Sequence, residues 1–511
     1  MHEMGFDHFA RKDPSATAIV DPRGRIWSRG ELACLVNRLS RALRASGLRP
    51  GDSIATLSPN CAELVAGYLA ATQIGLYFIP VNWHLTTPEI QFILEDSGAR
   101  AVIVHARFAS HASACGSECR TRISIGSAPG FERLEDFVAG YPDAPLEDPV
   151  LGRPMFYTSA TTGRPRAIVL PLPESSTALA RTIRVHVAGG IGLEQGHVHL
   201  CASMLYHGAP LDVSIISLHM GHKLVLVDRW DPEGLLRLIE EHAVTTTVVV
   251  PTMFVRMLKL PESVRARYRT SSLRRVVHTG APCPVEVKRQ MIDWWGPVLW
   301  DAYGAAEGAG TLVSSEEWLR YPGTVGRPIP GTELRILDEH GNDVHTGEVG
   351  TIYFTRYTGD RFEYKGDPQK TAACHRGRFF TVGDMGYLNE DGYLFICDRR
   401  TDMIISAGMN IYSAEVERVL VLHPAVADCA VLGIPDEILG QVVKAVVQPV
   451  PGCAVTKQLT LDILNFLRPR LSPAKLPRRI EYVAQLPRMP SGKLYKRYLR
   501  DLPPNETIPV A

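Results

Sequence analysis

Two stretches of this chain, 15–105 and 197–250, alternate short apolar runs with amphipathic segments, and few architectures accept that rhythm. In the first, Ser28-Arg29-Gly30-Glu31 sets a Ser cap three residues before a Glu, a pair that satisfies two orphan N–H groups and opens a helix predicted over 31–47. Pro50-Gly51-Asp52 turns into the strand Ser53-Ile54-Ala55-Thr56-Leu57. A helix over 64–74 and a strand over 76–81 follow. Thr87-Pro88-Glu89 then opens a helix that ends at Gly98, ahead of the strand Ala101-Val102-Ile103-Val104. The second stretch reads as strand 199–202, helix 211–220, strand 223–227, helix 231–242 and strand 245–250. Strands separated by helices pair in parallel, with the helices covering the sheet faces. The expectation is an α/β protein whose large N-terminal body holds two α/β sheet subdomains.

Past residue 330 the texture changes. Short β-like runs (333–337, 350–355, 392–396) are separated by Asp/Gly/Asn turns such as Asp338-Glu339-His340-Gly341-Asn342, which reads as a small antiparallel β-rich unit. Beyond residue 400 a βαβ-like pattern returns: helix 413–422, strands 425–432 and 441–450, helix 460–467 and strand 479–483. A chain of 511 residues is too long for one core. We place a boundary near 400, giving an N-terminal domain over 1–399 and a smaller α+β C-terminal domain over 400–511.

Composition removes several classes of function. A net charge of +1 offers no bulk attraction to nucleic acid or to an anionic membrane. The first twelve residues mix acidic, basic and His side chains without an apolar segment, unlike a secretory leader, so a cytoplasmic protein is expected. Residues 64–83 carry no charge, but Gly67, Thr72, Gln73, Gly75 and Pro80 interrupt them, and a buried helix and strand describe them better than a membrane span. The 10 cysteines show no Cys-x-x-Cys spacing and read as reduced thiols rather than a metal or disulfide framework. With 11 lysines against 44 arginines, a lysine inside a motif is easy to single out.

The densest such motif is Tyr157-Thr158-Ser159-Ala160-Thr161-Thr162-Gly163-Arg164-Pro165-Arg166, directly after the apolar Met155-Phe156. Hydroxyls and backbone N–H groups at the end of a strand suit an anion. The spacing is not that of a Walker loop, and by itself the cluster is equally a plain turn. Four further segments follow in order: His278-Thr279-Gly280-Ala281-Pro282, Asp301-Ala302-Tyr303-Gly304-Ala305-Ala306-Glu307, Thr381-Val382-Gly383-Asp384-Met385-Gly386-Tyr387 with Asp398-Arg399, and Pro490-Ser491-Gly492-Lys493. Together the five segments resemble, in order and spacing, the adenylate-forming superfamily of acyl-CoA synthetases, luciferases and peptide-synthetase adenylation domains. The resemblance covers residues 8 to 500. Tyr206-His207-Gly208 and Asp402-Met403-Ile404-Ile405-Ser406 bring it nearest to fatty acyl- and aryl-CoA ligases.

That resemblance implies an enzyme that condenses a carboxylic acid with ATP to an acyl-adenylate, releasing pyrophosphate, with CoA as the probable second co-substrate. Positioning and electrostatic stabilisation carry such a phosphoryl-centred step. Thr158, Ser159, Thr161, Thr162 and Gly163 would hold the phosphates. Thr279, Gly280, Ala281, Pro282, Asp301, Ala302, Tyr303 and Gly304 would form the nucleotide wall, with the Tyr303 ring against adenine. Asp384 would accept the ribose hydroxyls and Arg399 would reach ribose or phosphate. Glu307, a hard oxygen donor, would take Mg2+. Lys493 would bring its charge to the α-phosphate and carboxylate. His207 would gate the acid, beside a pocket of Tyr206, Met253, Phe254 and Thr279 whose apolar character implies a fatty, aryl or polycyclic acid. A homodimer stays open.

The departures from the family pattern also carry expectations. Ala160 and Ala167 stand where glycines are usual, and Ala306 stands where a Thr is usual. Thr401 occupies the charged hinge position, and Ala407 and Met409 occupy a Gly and a Glu position in the loop that lines the thiol channel. Adenylation is therefore better supported than thioester formation. An adenylation-only enzyme that hands acyl-AMP to a partner, or a non-catalytic acyl-AMP binding protein, are the rival expectations.

Overall fold

The computed structural model describes residues 5–112, 118–158, 165–174, 194, 196–488, 494, 496, 499 and 507–509. Its largest element is a nine-stranded sheet ordered Arg327–Pro328, Ala309–Ser314, Leu299–Ala305, Arg275–His278, Thr246–Val249, Val198–Cys201, Lys223–Leu226, Thr17–Val20, Ile26–Ser28. From Leu299–Ala305 to Thr17–Val20 all neighbours are parallel, and only the edges are antiparallel. Central strands such as Thr246–Val249 are buried along their whole length, which is why they read as unbroken β-branched runs. A second sheet of six strands, built on Ser53–Leu57, Tyr77–Pro80 and Ala99–His105, is parallel throughout.

Local signals place the covering helices. Ser28 and Glu31 form both bonds of the capping box, with Ser28 N–H donating to Glu31 Oε2 at 2.7 Å and Glu31 N–H donating to Ser28 Oγ at 3.1 Å, and the helix Arg29–Ala45 begins there. Thr86 and Glu89 repeat the device at Thr87–Asp96. The uncharged stretch divides into the buried helix Ala62–Thr72 and the strand Tyr77–Pro80, and among the described residues no helix is long and apolar enough to cross a membrane.

The β-rich unit is antiparallel, as its turns imply: Leu334–Leu337, Gly350–Phe354, Phe379–Phe380, Asp384–Leu388 and Leu394–Arg399 pair in that sense. Its last strand ends at Arg399, and the next, Ile404–Ser406, belongs to another sheet. There the βαβ expectation holds only in part. Val426–Asp436 and Gly440–Pro449 form a long antiparallel hairpin, because Glu437 to Leu439 allow only a tight return. The helix Lys457–Leu467 then carries the chain across to Arg479–Tyr482, parallel to Gly440–Pro449. This sheet and the helices Ser413–Leu420 and Lys457–Leu467 enclose their own core around Ile404, Val416, Val431, Ile463 and Ile480.

Candidate active site

The parallel strands of the large sheet end at one cleft, the usual binding side of an open α/β sheet. Thr279 to Pro282 follow the strand Arg275–His278 and line it, and Gly280 adopts φ +84°, a left-handed conformation open to glycine. Asp301 to Gly308 form the next wall.

Asp384 is a buried polar centre of the cleft. It is 6% exposed, and each carboxylate oxygen has its own donor: Tyr303 Oη at 2.7 Å on Oδ2 and Arg399 Nε at 3.1 Å on Oδ1. Residues far apart in sequence thus meet across the antiparallel register Asp384↔Arg399. Burial and the neighbouring Asp384 charge hold the Tyr303 hydroxyl well above its usual pKa, so it remains a donor. Its ring lies tilted against Phe354 at 5.8 Å.

Glu307 is also buried, and Tyr364 Oη donates to its Oε1 at 2.7 Å. The Arg356 guanidinium donates to the Glu307 carbonyl, and Gly308 follows at φ +95°, a conformation that favours glycine. Tyr364 belongs to a three-stranded antiparallel sheet of Phe156–Thr158, Arg166–Val169 and Glu363–Tyr364. Thr158 is paired with Arg166 across the base of the hydroxyl loop. Arg166 bonds Asp367 at 3.1 Å. Ser159, Thr161, Thr162 and Gly163 lie outside the described residues, as does Lys493.

His207 precedes the helix Gly208–His219 and lines the cleft, its ring 4.5 Å from that of Tyr206. Three pocket assignments need correction. Met253 and Phe254 are fully buried in the core of the large sheet and do not reach the cleft: the helix Pro251–Leu258 turns them toward Met291 and Trp295, and Phe254 packs edge-on to Trp295 at 6.0 Å. Tyr206 packs among Trp83, His84 and His207 and also stays out of the lining. The apolar lining includes Val213, Val248 and Val277, with Ala302 beside them.

Asp301 lines the cleft, but its carboxylate is engaged by other side chains. Lys288, fully buried, bonds its Oδ2 at 3.2 Å, and His278 Nε2 lies 3.5 Å away. Burial drives the His278 pKa down to about 3, so the imidazole is neutral and Lys288 supplies the compensating charge. The far wall is made by Arg399, Asp402, Glu417, Arg488, Leu494 and Lys496.

Sequence reasoning missed Tyr364, Lys288 and the three valines. None stands in a motif, and each reaches the site through strand pairing or packing. Lys288 had one usable signal, a lysine on the apolar side of the helix Val285–Trp295.

The AMP-binding enzyme model matches residues 6–358, and the AMP-binding enzyme C-terminal domain model matches 415–493. The chain is 35% identical over 499 residues to a feruloyl-CoA synthase of an Amycolatopsis species, covering 96% of each chain. It is 32% identical to the fatty acid–[acyl-carrier-protein] ligase ScoC of Streptomyces coeruleorubidus, covering 96% of this chain and 94% of the other. Among solved structures it resembles the o-succinylbenzoate CoA synthetase of Bacillus subtilis in complex with its acyl-adenylate intermediate, at a TM-score of 0.82 and 26% identity over 98% of both chains.

Proposed function

Because this chain belongs to the AMP-binding enzyme family and is an adenylate-forming ligase, we propose that it activates a hydrophobic carboxylic acid with ATP and transfers the acyl group to CoA. In the first step a carboxylate oxygen attacks the α-phosphorus and the bond to pyrophosphate breaks. In the second, the thiol sulfur attacks the acyl carbon, and AMP leaves with the electron pair of the broken C–O bond.

The observation that carries this reading is the Tyr303–Asp384–Arg399 arrangement beside a buried Glu307. Asp384 orients two donors and, as a carboxylate, can accept both ribose hydroxyls. Thr158 and the loop after it would cradle the phosphates. Glu307 suits magnesium: Tyr364 engages one carboxylate oxygen, and an ion bridging phosphates needs only one or two carboxylates. Magnesium would offset phosphate charge there. Lys493 would add a point charge at the reacting oxygens, carried by residues 400–511 acting as a mobile domain about the Thr401 hinge. The acid would lie past His207 against Val213, Val248, Val277 and Ala302, a surface suited to alkyl or aryl groups.

Pyrophosphate exchange into ATP, run with a panel of alkyl and aryl acids, tests the reading. Exchange with none of them would remove it. A thiol on a carrier protein is the second reading. It is favoured by the ScoC similarity and by Met409, which is 50% exposed at the start of the strand Met409–Ile411, where the family pattern has Glu. Supplying CoA or carrier protein to preformed acyl-adenylate decides between the two.

A further inference from the structure

We propose that two half-buried ion pairs clamp the chain on either side of Lys493, and that Lys496 and Arg488 are positioning residues for the adenylation step. The inference rests on the adenylating role proposed above for Lys493.

On the N-terminal side, Arg488 grips Asp428 with both arms of its guanidinium: Nη2 donates to Oδ1 at 2.7 Å, and Nε donates to Oδ2. Such a two-point grip fixes orientation as well as distance. Asp428 lies in the long hairpin strand Val426–Asp436, so the grip is anchored to the sheet. Arg488 is also bridged to Leu494, which draws the two flanks of the intervening segment together.

On the C-terminal side, Lys496 Nζ lies 2.8 Å from Glu417 Oε1 and donates to Ser413 Oγ at 2.6 Å. Glu417 also accepts from Val431 N–H at 2.7 Å. Burial opposes the charge on Lys496, but Glu417, Asp398 and Asp402 outweigh it and raise its pKa. It therefore stays an ammonium. Lys493 is three residues before Lys496 and five after Arg488 in sequence.

The clamp continues toward the nucleotide side. Ser413 Oγ in turn donates to Asp398 Oδ2 at 2.8 Å, and Asp398 also accepts from Ala414 N–H at 3.3 Å. Asp398 directly precedes Arg399, which holds Asp384. Lys496, Ser413, Asp398, Arg399 and Asp384 thus form one bonded or adjacent series. It ties Lys496, on the C-terminal side of Lys493, to the carboxylate assigned to ribose. A catalytic charge displaced by about 1 Å can cost on the order of 10²-fold in rate, so this register matters to the chemistry.

The test separates the half-reactions in the full-length chain. For Lys496→Met, ATP–pyrophosphate exchange should fall roughly 10–100-fold in kcat, with the KM for ATP changed less than about twofold. Conversion of preformed acyl-adenylate to thioester should stay near wild type, and Lys496→Arg should recover most of the exchange. Glu417→Gln, which keeps side-chain size, and Arg488→Gln, which removes the two-point grip, should move the same way. They carry the test if Lys496→Met does not fold. Undiminished exchange in folded variants overturns the clamp. So does an equal fall in both half-reactions, because that reports a loosened domain rather than a misplaced lysine. Wild-type protein that exchanges with no acid overturns the functional reading itself, whereas active wild type with unaffected variants overturns the clamp alone.

Discussion

At Asp384 a single carboxylate fixes a tyrosine, an arginine and, in our reading, a ribose. Removing it leaves the Tyr303 hydroxyl and the Arg399 guanidinium without their shared acceptor. Asp384→Ala should raise the KM for ATP, since hydrogen bonds to a charged acceptor contribute roughly 1.5–3 kcal/mol each. Unchanged ATP affinity by calorimetry would reduce Asp384 to a fold residue. Lys493→Ala should lower pyrophosphate exchange on the order of 10²-fold, the cost of one preorganised electrostatic contact, with the unfolding midpoint unchanged. Ala407 presents a different case. It occupies the left-handed region at φ +47°, followed by Gly408 at φ +78°, in the two-residue turn between Ile404–Ser406 and Met409–Ile411. Such turns need positive φ at both central residues, which suits Gly and strains Ala. Ala407→Gly should therefore stabilise the chain by about 0.5–1 kcal/mol after the unfolded-state entropy of glycine is counted. A lowered urea midpoint would contradict this. The sequence marks Ala407 as a departure from pattern, but only the backbone angle shows that the methyl is strained.

Among the elements, the short sheet of Phe156–Thr158, Arg166–Val169 and Glu363–Tyr364 does most to assemble the site. Its register pairs Thr158 with Arg166 and Ile168 with Tyr364, so the hydroxyl loop and the donor to Glu307 share one rigid support. Tyr364→Phe removes one bond to a charged group, so adenylation kcat/KM should drop about tenfold and the magnesium optimum should shift upward. Identical rates across a magnesium titration would separate Tyr364 from the phosphate chemistry. This sheet was not legible beforehand. A two-residue strand has no periodicity, and its partner lies far back in the chain. The longer elements were legible, because the capping boxes at Ser28 and Thr86 and the buried runs around Ser53–Leu57 and Thr246–Val249 carry their signals locally.

For the molecule as a whole, the large sheet buries imidazoles. His199 and His278 have pKa values driven down to about 3, and His222 to about 4, chiefly by desolvation. Unfolded, each would bind a proton near pH 6.5; folded, each stays neutral well below that. The unfolded state thus binds more protons in this window, and stability falls as pH drops from 6.5 toward 4, by about 2 kcal/mol per group at pH 5. Asp212, raised by burial to about 7, has the opposite sign and offsets about one of them. The urea midpoint at pH 5 should lie below that at pH 7, and a higher one would refute the assignment. What the sequence determined by itself was whatever depends on near neighbours: the β/α rhythm, the helix starts, the antiparallel texture after residue 330, and the five motifs that name the family. Tertiary structure alone decided which side chains face the cleft. Met253 and Phe254 have the composition of a pocket but lie in the core, while Val213, Val248 and Val277 have the composition of a core and line the cleft. Apolar character reports only that a side chain avoids water. Whether it does so against protein or against a ligand depends on which elements pack over it, and that packing is set by contacts between distant parts of the chain.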